Sequence, residues 1–397
     1  MQRSAVLKWA GWVVLALMGA SLGLADSGKR ISVGELLELV TRGQAAGESD
    51  AGLAAILDRV ELDEELTAGA MGRLIGHLPG PLSIEQIYAL EARSAMLAPP
   101  SADLPVVAAP DEAAQRAMVA KARDWSKDVY AHLPALTAKS LIARFEDGHA
   151  GATAEMSGSR SGQPSAAESG LDVRLVNKHL DTARFAHGVE DATLFSETTE
   201  PGENGVVAAV NAVLTPEQIF KEAGKAGEFH FQRWQTVNGV QLAVFSIEVD
   251  KKRSHYGMAY RYLSTETKFT GGEMSTNAGG GTNSSSSFEV TRVWKRFEHR
   301  SGYSSEVFVE PGSGMVLRTV TKVEFNPNDI LSSETVRTDY APLPVDSGTL
   351  VVPVRRFKIT EFVERDAKTG GKATKRHRFV TEDFKDFERP NEVKAVP

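Results

Sequence analysis

From Phe229 onward, runs of alternating apolar and polar residues follow one another with turn residues between them, and no helical run separates them. Parallel strands need a crossover of a dozen or more residues, usually a helix. This half of the chain is therefore expected to form an antiparallel meander. In "FHFQRWQTVNGVQLAVFSIEV", Asn238-Gly239 lies between two alternating runs, as suits a two-residue type I′ turn whose positions both need φ > 0. In "EVFVEPGSGMVLRTVTKVEF", residues 306–325, Pro311, Gly312 and Gly314 break the run, and Met315, Leu317, Thr319, Thr321, Val323 and Phe325 then fall on one face. Further strands are expected at 288–298, 303–310, 334–341, 349–363 and 375–381. Residues 271–287, "GGEMSTNAGGGTNSSSS", read as a flexible loop, and the Gly/Ser/Ala-rich stretch 147–170 as loose.

The other half has a helical period. "DAGLAAILDRV" places Leu53, Ile56, Leu57 and Val60 on one stripe, and "ELTAGAMGRLIGHL" does the same with Leu66, Ala70, Met71, Leu74, Ile75 and Leu78. In "PLSIEQIYALEARSAML", Ser83 followed by Gln86 reads as a capping box. After the Pro-rich stretch "APPSADLPVVAAPDE", Asp111 caps a longer helix whose stripe is Met118, Ala122, Trp125, Val129 and Leu133, with Tyr130 at its rim and Pro134 at its end. "TPEQIFKEAG" is a short helix with Thr215 and Gln218 as its box and Gly224 as its stop. The fold class expected is α+β: N-terminal helices, then an antiparallel β-meander or half-open barrel packed on a helix. The expected organisation is a signal peptide over 1–25, a helical domain over 26–98, a linker over 99–110, a helix plus antiparallel β domain over 111–390 and a tail over 391–397.

The first 25 residues carry a basic start (Arg3, Lys8), the apolar run "WAGWVVLALMG", and small residues Gly23 and Ala25 ahead of Asp26. That is the pattern of a cleaved export signal. The apolar run is short for a span of about 20 residues, so no integral span is expected after cleavage, and the protein is expected to be exported, periplasmic or secreted. There is no cysteine, which closes disulfides, thiolate metal sites, cysteine nucleophiles and lipid attachment through a cysteine. The formal charge is −7, with 4 Lys+Arg against 11 Asp+Glu in residues 31–98 and 12 against 8 in 355–397. An acidic chain with one mildly basic end is a poor match for nucleic acid.

No catalytic or cofactor motif stands out. The nine histidines form neither His-x-His nor His-Glu-x-x-His, so no metal site is assigned. "GSRSG" at 158–162 has Arg160 where a nucleophile elbow has serine. "TGGKAT" at 369–374 lacks the first glycine of a phosphate loop and reads as a hairpin turn. In "TEDFKDFE", Glu382, Asp383, Asp386 and Glu388 read as an exposed, salt-laced face around Lys385. The one constellation with a functional reading is aromatic: Tyr256, Met258, Tyr260 and Tyr262 alternate in "HYGMAYRYL", with Phe231, Trp234, Phe245 and Trp294 in neighbouring strand candidates. They form either a core face packed on the Trp125 helix or the lining of an apolar cleft with tyrosyl hydroxyls as its polar groups.

The order of "LDEELTAGAMGRLIGHLPGPLSIEQIYALEARSAMLAPP", "DVYAHLPALTAKSLIARFED" and the strand pair "EVFVEPGSGMVLRTVTKVEF" and "TDYAPLPVDSGTLVVPVRRF" resembles a group of uncharacterised exported bacterial proteins with N-terminal helices and a β-rich C-terminal domain. Its sharper points are Glu310, Pro311 and Gly314 in the turn, and Tyr340 and Pro342 in the next strand. Members often carry cysteine in the strand after the "LP" step, where this chain has Ala138 and Ser140. A helix against an antiparallel meander is also similar, in architecture alone, to the periplasmic lipoprotein-carrier fold, and that likeness transfers no residue. The expected function is non-enzymatic binding at the cell envelope, of an apolar or lipid-like molecule, with Phe231, Trp234, Tyr256, Met258, Tyr260, Tyr262 and Trp294 as ligand-binding candidates. A structural or assembly module that docks an envelope protein through the N-terminal helices is the alternative, and a hydrolase without a recognisable motif the third reading.

Overall fold

The computed structural model describes residues 30–147, 173–186, 188–190, 206–211, 213–224, 229–276, 282–325, 331–345, 348–365 and 373–389. The expected signal segment over 1–25, the 147–170 stretch beyond Asp147 and the 391–397 tail lie outside them. The chain divides into two compact units, Met1–Ala98 with Asp147–Arg174, and Pro99–Glu146 with Leu175–Pro397.

The first unit is helical. Helices α1 (Val33–Ala45), α2 (Asp50–Asp58), α3 (Ala68–Ile75) and α4 (Pro81–Ser94) surround one aliphatic core that includes Leu36, Val40, Leu53, Leu57, Met71, Leu74 and Ile87. Short strands β1 (Arg30–Ile31) and β2 (Glu61–Leu62) pair in parallel beside it. Ser32, Ser49 and Thr67 cap the first three helices through side-chain oxygens. The fourth starts differently from the expected Ser83–Gln86 box. Gly80 is its N-cap and Pro81 its first residue, and Asp50 of α2 accepts from Leu82 N at 3.0 Å, Ser83 N at 2.9 Å and Ser83 Oγ at 2.7 Å. Gly80 has no side chain with which to cap, so a carboxylate from another helix satisfies the free N–H groups. A Cβ on Gly80 would lie 2.6 Å from Asp50 Oδ2, which is why glycine suits that position.

The second unit is a ten-stranded antiparallel sheet with two helices. Its strands are β3 (Leu136–Asp147), β4 (Val173–Ala186), β5 (Val189–Glu190), β7 (His230–Val237), β8 (Val240–Val249), β11 (Tyr303–Val309), β12 (Val316–Glu324), β13 (Leu331–Val345), β14 (Gly348–Arg365) and β15 (Ala373–Glu388). Their order is β5-β4-β3-β15-β14-β13-β12-β11-β8-β7, a meander with open ends rather than a closed barrel. Asn238 and Gly239 have φ of 50° and 81° and join β7 to β8 as a two-residue turn. At the β11–β12 turn, the Glu310 carboxylate accepts from Gly312 N at 2.8 Å and Ser313 N at 2.5 Å, and Gly314 adopts φ of 81°. Burial would raise the Glu310 pKa, but these bonds and Lys121 hold it below its usual value.

A second sheet, β10-β9-β6, contains β6 (Val206–Asn211), β9 (Gly257–Thr276) and β10 (Thr282–Arg300). Here the expected loop at 271–287 is corrected at its two ends, 271–276 and 282–287, whereas 277–281 lie outside the described residues. Thr276 pairs with Thr282, and pairing continues with one shift to Gly257 and Arg300. Backbone hydrogen bonds need no apolar side chain, so a Gly/Ser/Thr-rich stretch can extend a hairpin that its flanks have already registered.

Helix α5 (Glu112–His132) is capped by Asp111, whose Oδ1 accepts from Ala114 N at 2.8 Å. Helix α6 (Pro216–Ala223) has the expected Thr215–Gln218 box and ends at Gly224, with φ of 74°. The buried stripe of α5 is Val119, Ala122, Ser126 and Tyr130, with Met118 and Trp125 at its margin. The helix is thus rotated from the expected stripe, and Tyr130 faces inward. Leu317 also leaves its expected stripe: register shifts at Phe308/Val309, and Leu317 packs with Leu242, Val244 and Phe308 instead.

Candidate functional site

Strand registers place one row of side chains across most of the large sheet. Phe231, Phe245, Val307, Thr319, Thr338, Arg356, Glu382 and Ile142 are successive cross-strand partners. They share one face, called here the inner face, because partners in register project to the same side. The row starts apolar, passes through two threonines and a charged pair, Arg356 and Glu382, and finishes at Ile142.

At the apolar end, Val307, Phe245, Val309 and Ile247 pack with Val119 and Ala122 of α5 and Ile219 and Phe220 of α6. Phe231 and Trp234 are partly buried against this core, their rings 5.5 Å apart, and Phe231 lies 5.8 Å from Phe245. Trp234 Nε1 donates to Ala108 O at 2.9 Å, pinning the 99–110 segment to β7. Tyr256 precedes β9, is buried in the same core, and donates through its hydroxyl to Glu334 Oε1 at 2.5 Å. Beside it Val213, Leu214, Thr319, Thr321, Val336 and Thr338 line a cavity of about 10 Å³, room for about one water and not for an acyl chain. The side chains of Met258, Tyr260, Tyr262 and Trp294 lie outside the described residues. Their strands, β9 and β10, belong to the smaller sheet, whereas Phe231 and Trp234 belong to the larger one.

At the charged end, Arg356 Nη1 donates to Glu382 Oε2 at 2.8 Å and to Glu190 Oε2 at 2.6 Å, and Ser140 Oγ donates to Glu382 Oε1. All four side chains are buried or nearly so, and the Arg356 guanidinium lies 5.1 Å from the Phe384 ring. Burial and the nearby Glu190 charge push the Glu382 pKa up against the pull of Arg356 and Ser140. Burial would lower the Arg356 pKa, but the two carboxylates raise it. The expected exposed face at "TEDFKDFE" is thereby corrected for Glu382: in register with Arg356, it points inward.

The Arg356–Glu190 bond also reveals curvature. β5 and β14 are four steps apart in the sheet, about 19 Å if flat at ~4.8 Å per step. Two side chains cannot bridge that distance, so this end of the sheet curls over its inner face. Gly188, between β4 and β5, has φ of 74°, and a Cβ there would fall 2.4 Å from the Tyr130 ring. The curl therefore closes onto α5, where Tyr130 and Tyr340 are hydrogen-bonded and burial raises the pKa of both.

The opposite face carries its own charged row. Asp339 accepts from Arg318 Nε at 2.6 Å and Arg337 Nη2 at 2.8 Å. Burial would raise its pKa, but the two arginines hold it down at about 2. Phe308 lies between Arg233 and Arg318, at 5.7 and 5.5 Å, and Phe357 between Arg337 and Arg355, at 5.0 and 4.9 Å.

This arrangement is rich in ion pairs and poor in reactive groups. Ser140 sits against a carboxylate but is only 1% exposed, so a substrate cannot reach it. Among the described residues no group of three or more His, Asp or Glu is placed to hold a metal ion. Sequence reading missed Glu190, Glu334, Arg356 and Ser140. The signal that could have found them is phase: Glu334, Arg356 and Glu382 fall on the inward-facing beat of their strands. No family model, curated protein or solved structure matches the chain.

Proposed function

We propose that the chain is an exported, non-enzymatic binding protein of the cell envelope that holds an apolar or lipid-like molecule against its large sheet. The observation that carries this reading is the curl: an open meander bent far enough for Glu190 to meet Arg356 has a concave inner face. The filled core around Tyr256 argues that a ligand does not enter there, and leaves Phe231 and Trp234, both partly buried, as the described aromatic contacts. Native mass spectrometry of protein purified without detergent tests this. A lipid-mass adduct released by organic solvent is expected. Bare polypeptide, with tryptophan fluorescence unmoved by an added apolar probe, would overturn the reading.

The second reading, an assembly module that docks an envelope protein, draws support from the helical unit. It has an aliphatic core of its own and exposes Leu82 at 51% and Ile75 at 37%. Substituting both by Asp should abolish association with such a partner and leave apolar probe binding intact.

A further inference from the structure

Arg144 and Arg378 stand on neighbouring strands, β3 and β15, on the inner face. Arg378 is the cross-strand partner of Glu146, and Arg144 is two residues along the same strand from Glu146. Arg378 Nε donates to Glu146 Oε1 at 2.6 Å, and Arg144 Nε lies 3.7 Å from the same oxygen. Two guanidinium groups thus share one carboxylate, and positive charge is left over. The Arg378 side chain is 5% exposed and rests 4.8 Å from the centre of the Phe362 ring. Its Nη2 is buried without a hydrogen-bond partner, and so is Arg144 Nε. Buried donors are nearly always paired, since an unpaired one keeps its desolvation cost. Burial and the Arg378 charge lower the Arg144 pKa, as expected for like charges held together with too little counter-charge.

We propose that Arg144 and Arg378 form a binding site for a single oxyanion group, a phosphate or carboxylate. Guanidinium forks match the geometry and charge of such groups, and the two unpartnered donors show that Glu146 alone does not satisfy the pair. An oxyanion approaches from the Arg144 side, where Arg144 keeps 16% of its side chain exposed and Lys358, beyond Val380 in the same row, keeps 23%, while Arg378 adds its charge from beneath. The oxyanion can be a free ion or the headgroup of an amphiphile, and the site does not depend on the apolar ligand proposed above.

Isothermal titration of the purified protein with inorganic phosphate, and separately with a short-chain phosphatidylglycerol held below its aggregation concentration, tests the site. Saturable binding of at least one is expected, weakened about tenfold or more by Arg144→Gln and partly recovered by Arg144→Lys. Phosphate binding without lipid binding assigns a free anion; lipid binding without phosphate binding assigns a headgroup. Arg378→Gln should abolish binding, and if that buried change prevents folding, the more exposed Arg144 variants decide alone. Wild-type protein that binds neither probe, or Arg144→Gln that binds as tightly as wild type, would overturn the proposal. Phosphate binding in a protein that carries no lipid would uphold this site while removing support for the apolar ligand.

Discussion

The two ends of the inner face bury their side chains by different physics. Under α5 and α6 the sheet presents Val307, Phe245 and Val309, which need only shape to pack. Across β14, β15 and β3 the same face presents Arg356, Glu382 and Ser140, which require partners in fixed positions. The apolar end is covered by helices, whereas the charged end is closed by the sheet itself, through Glu190 at its edge. An ion pair is a weaker fastener than a packed core, because removing charges from water costs about as much as their attraction returns. The charged end is therefore where pH and salt can act on this protein.

The largest expected effect comes from breaking the pairing. Arg356→Ala leaves Glu382 and Glu190 without their shared cation and should cost about 3–5 kcal/mol. Phe245→Ala at the apolar end should cost about as much, ~3–5 kcal/mol, through its cavity. The two separate on acidification in urea melts. The Arg356→Ala deficit should shrink as the buried Glu382 takes up a proton, while the Phe245→Ala deficit stays. Equal pH profiles would erase the distinction between the ends.

The two faces of the sheet sharpen it further, because their carboxylates are shifted in opposite directions. Asp339 has a folded pKa of about 2 against an ordinary 3.8. Its contribution, about 2 kcal/mol, is present above pH ~4 and is lost as pH falls through ~2. Glu382 is raised, so its contribution is present below the ordinary glutamate value and is lost as pH rises through its folded pKa. Asp339→Asn should remove the steep acid limb of the stability curve, and Glu382→Gln should flatten the curve on the neutral side. The reverse assignment would refute the two shifts.

A smaller effect belongs to the apolar end alone. Gly314 has φ of 81°, and a Cβ there would approach the Lys121 backbone of α5 at 2.8 Å. Gly314→Ala should cost roughly 1–3 kcal/mol from backbone strain. Thermal unfolding with no change in midpoint would mean that the turn does not press on the helix.

Much of the fold could be read from the sequence wherever the signal was local. Asn238-Gly239, the Thr215–Gln218 box, the Asp111 cap and the antiparallel order of β11 to β15 depend on residues close together in the chain. What could not be read depends on partners far apart. The Asp50 cap on α4 spans two helices, the Leu317 inversion needs a register shift in β11, and the hairpin through Gly271 needs Ser287 opposite it. β4 was missed because its side chains are mostly exposed, so it lacks apolar alternation. Of the candidate site, the burial of Phe231, Trp234 and Tyr256 with the core was one of the two readings offered by their spacing. The charged end was illegible, because "TEDFKDFE" has the composition of a solvated surface, and only the register with Arg356 turns Glu382 inward.

The sheet edge is fastened across the inner face by Glu190 and Arg356. A double-mutant cycle with Glu190→Gln, Arg356→Met and the pair, read by urea unfolding at neutral pH, measures that fastening directly. A coupling energy of about 1 kcal/mol or more is predicted for residues in one buried network. Additive effects, within about 0.3–0.5 kcal/mol, would mean that the edge does not close on β14, and the concave face with it would be lost.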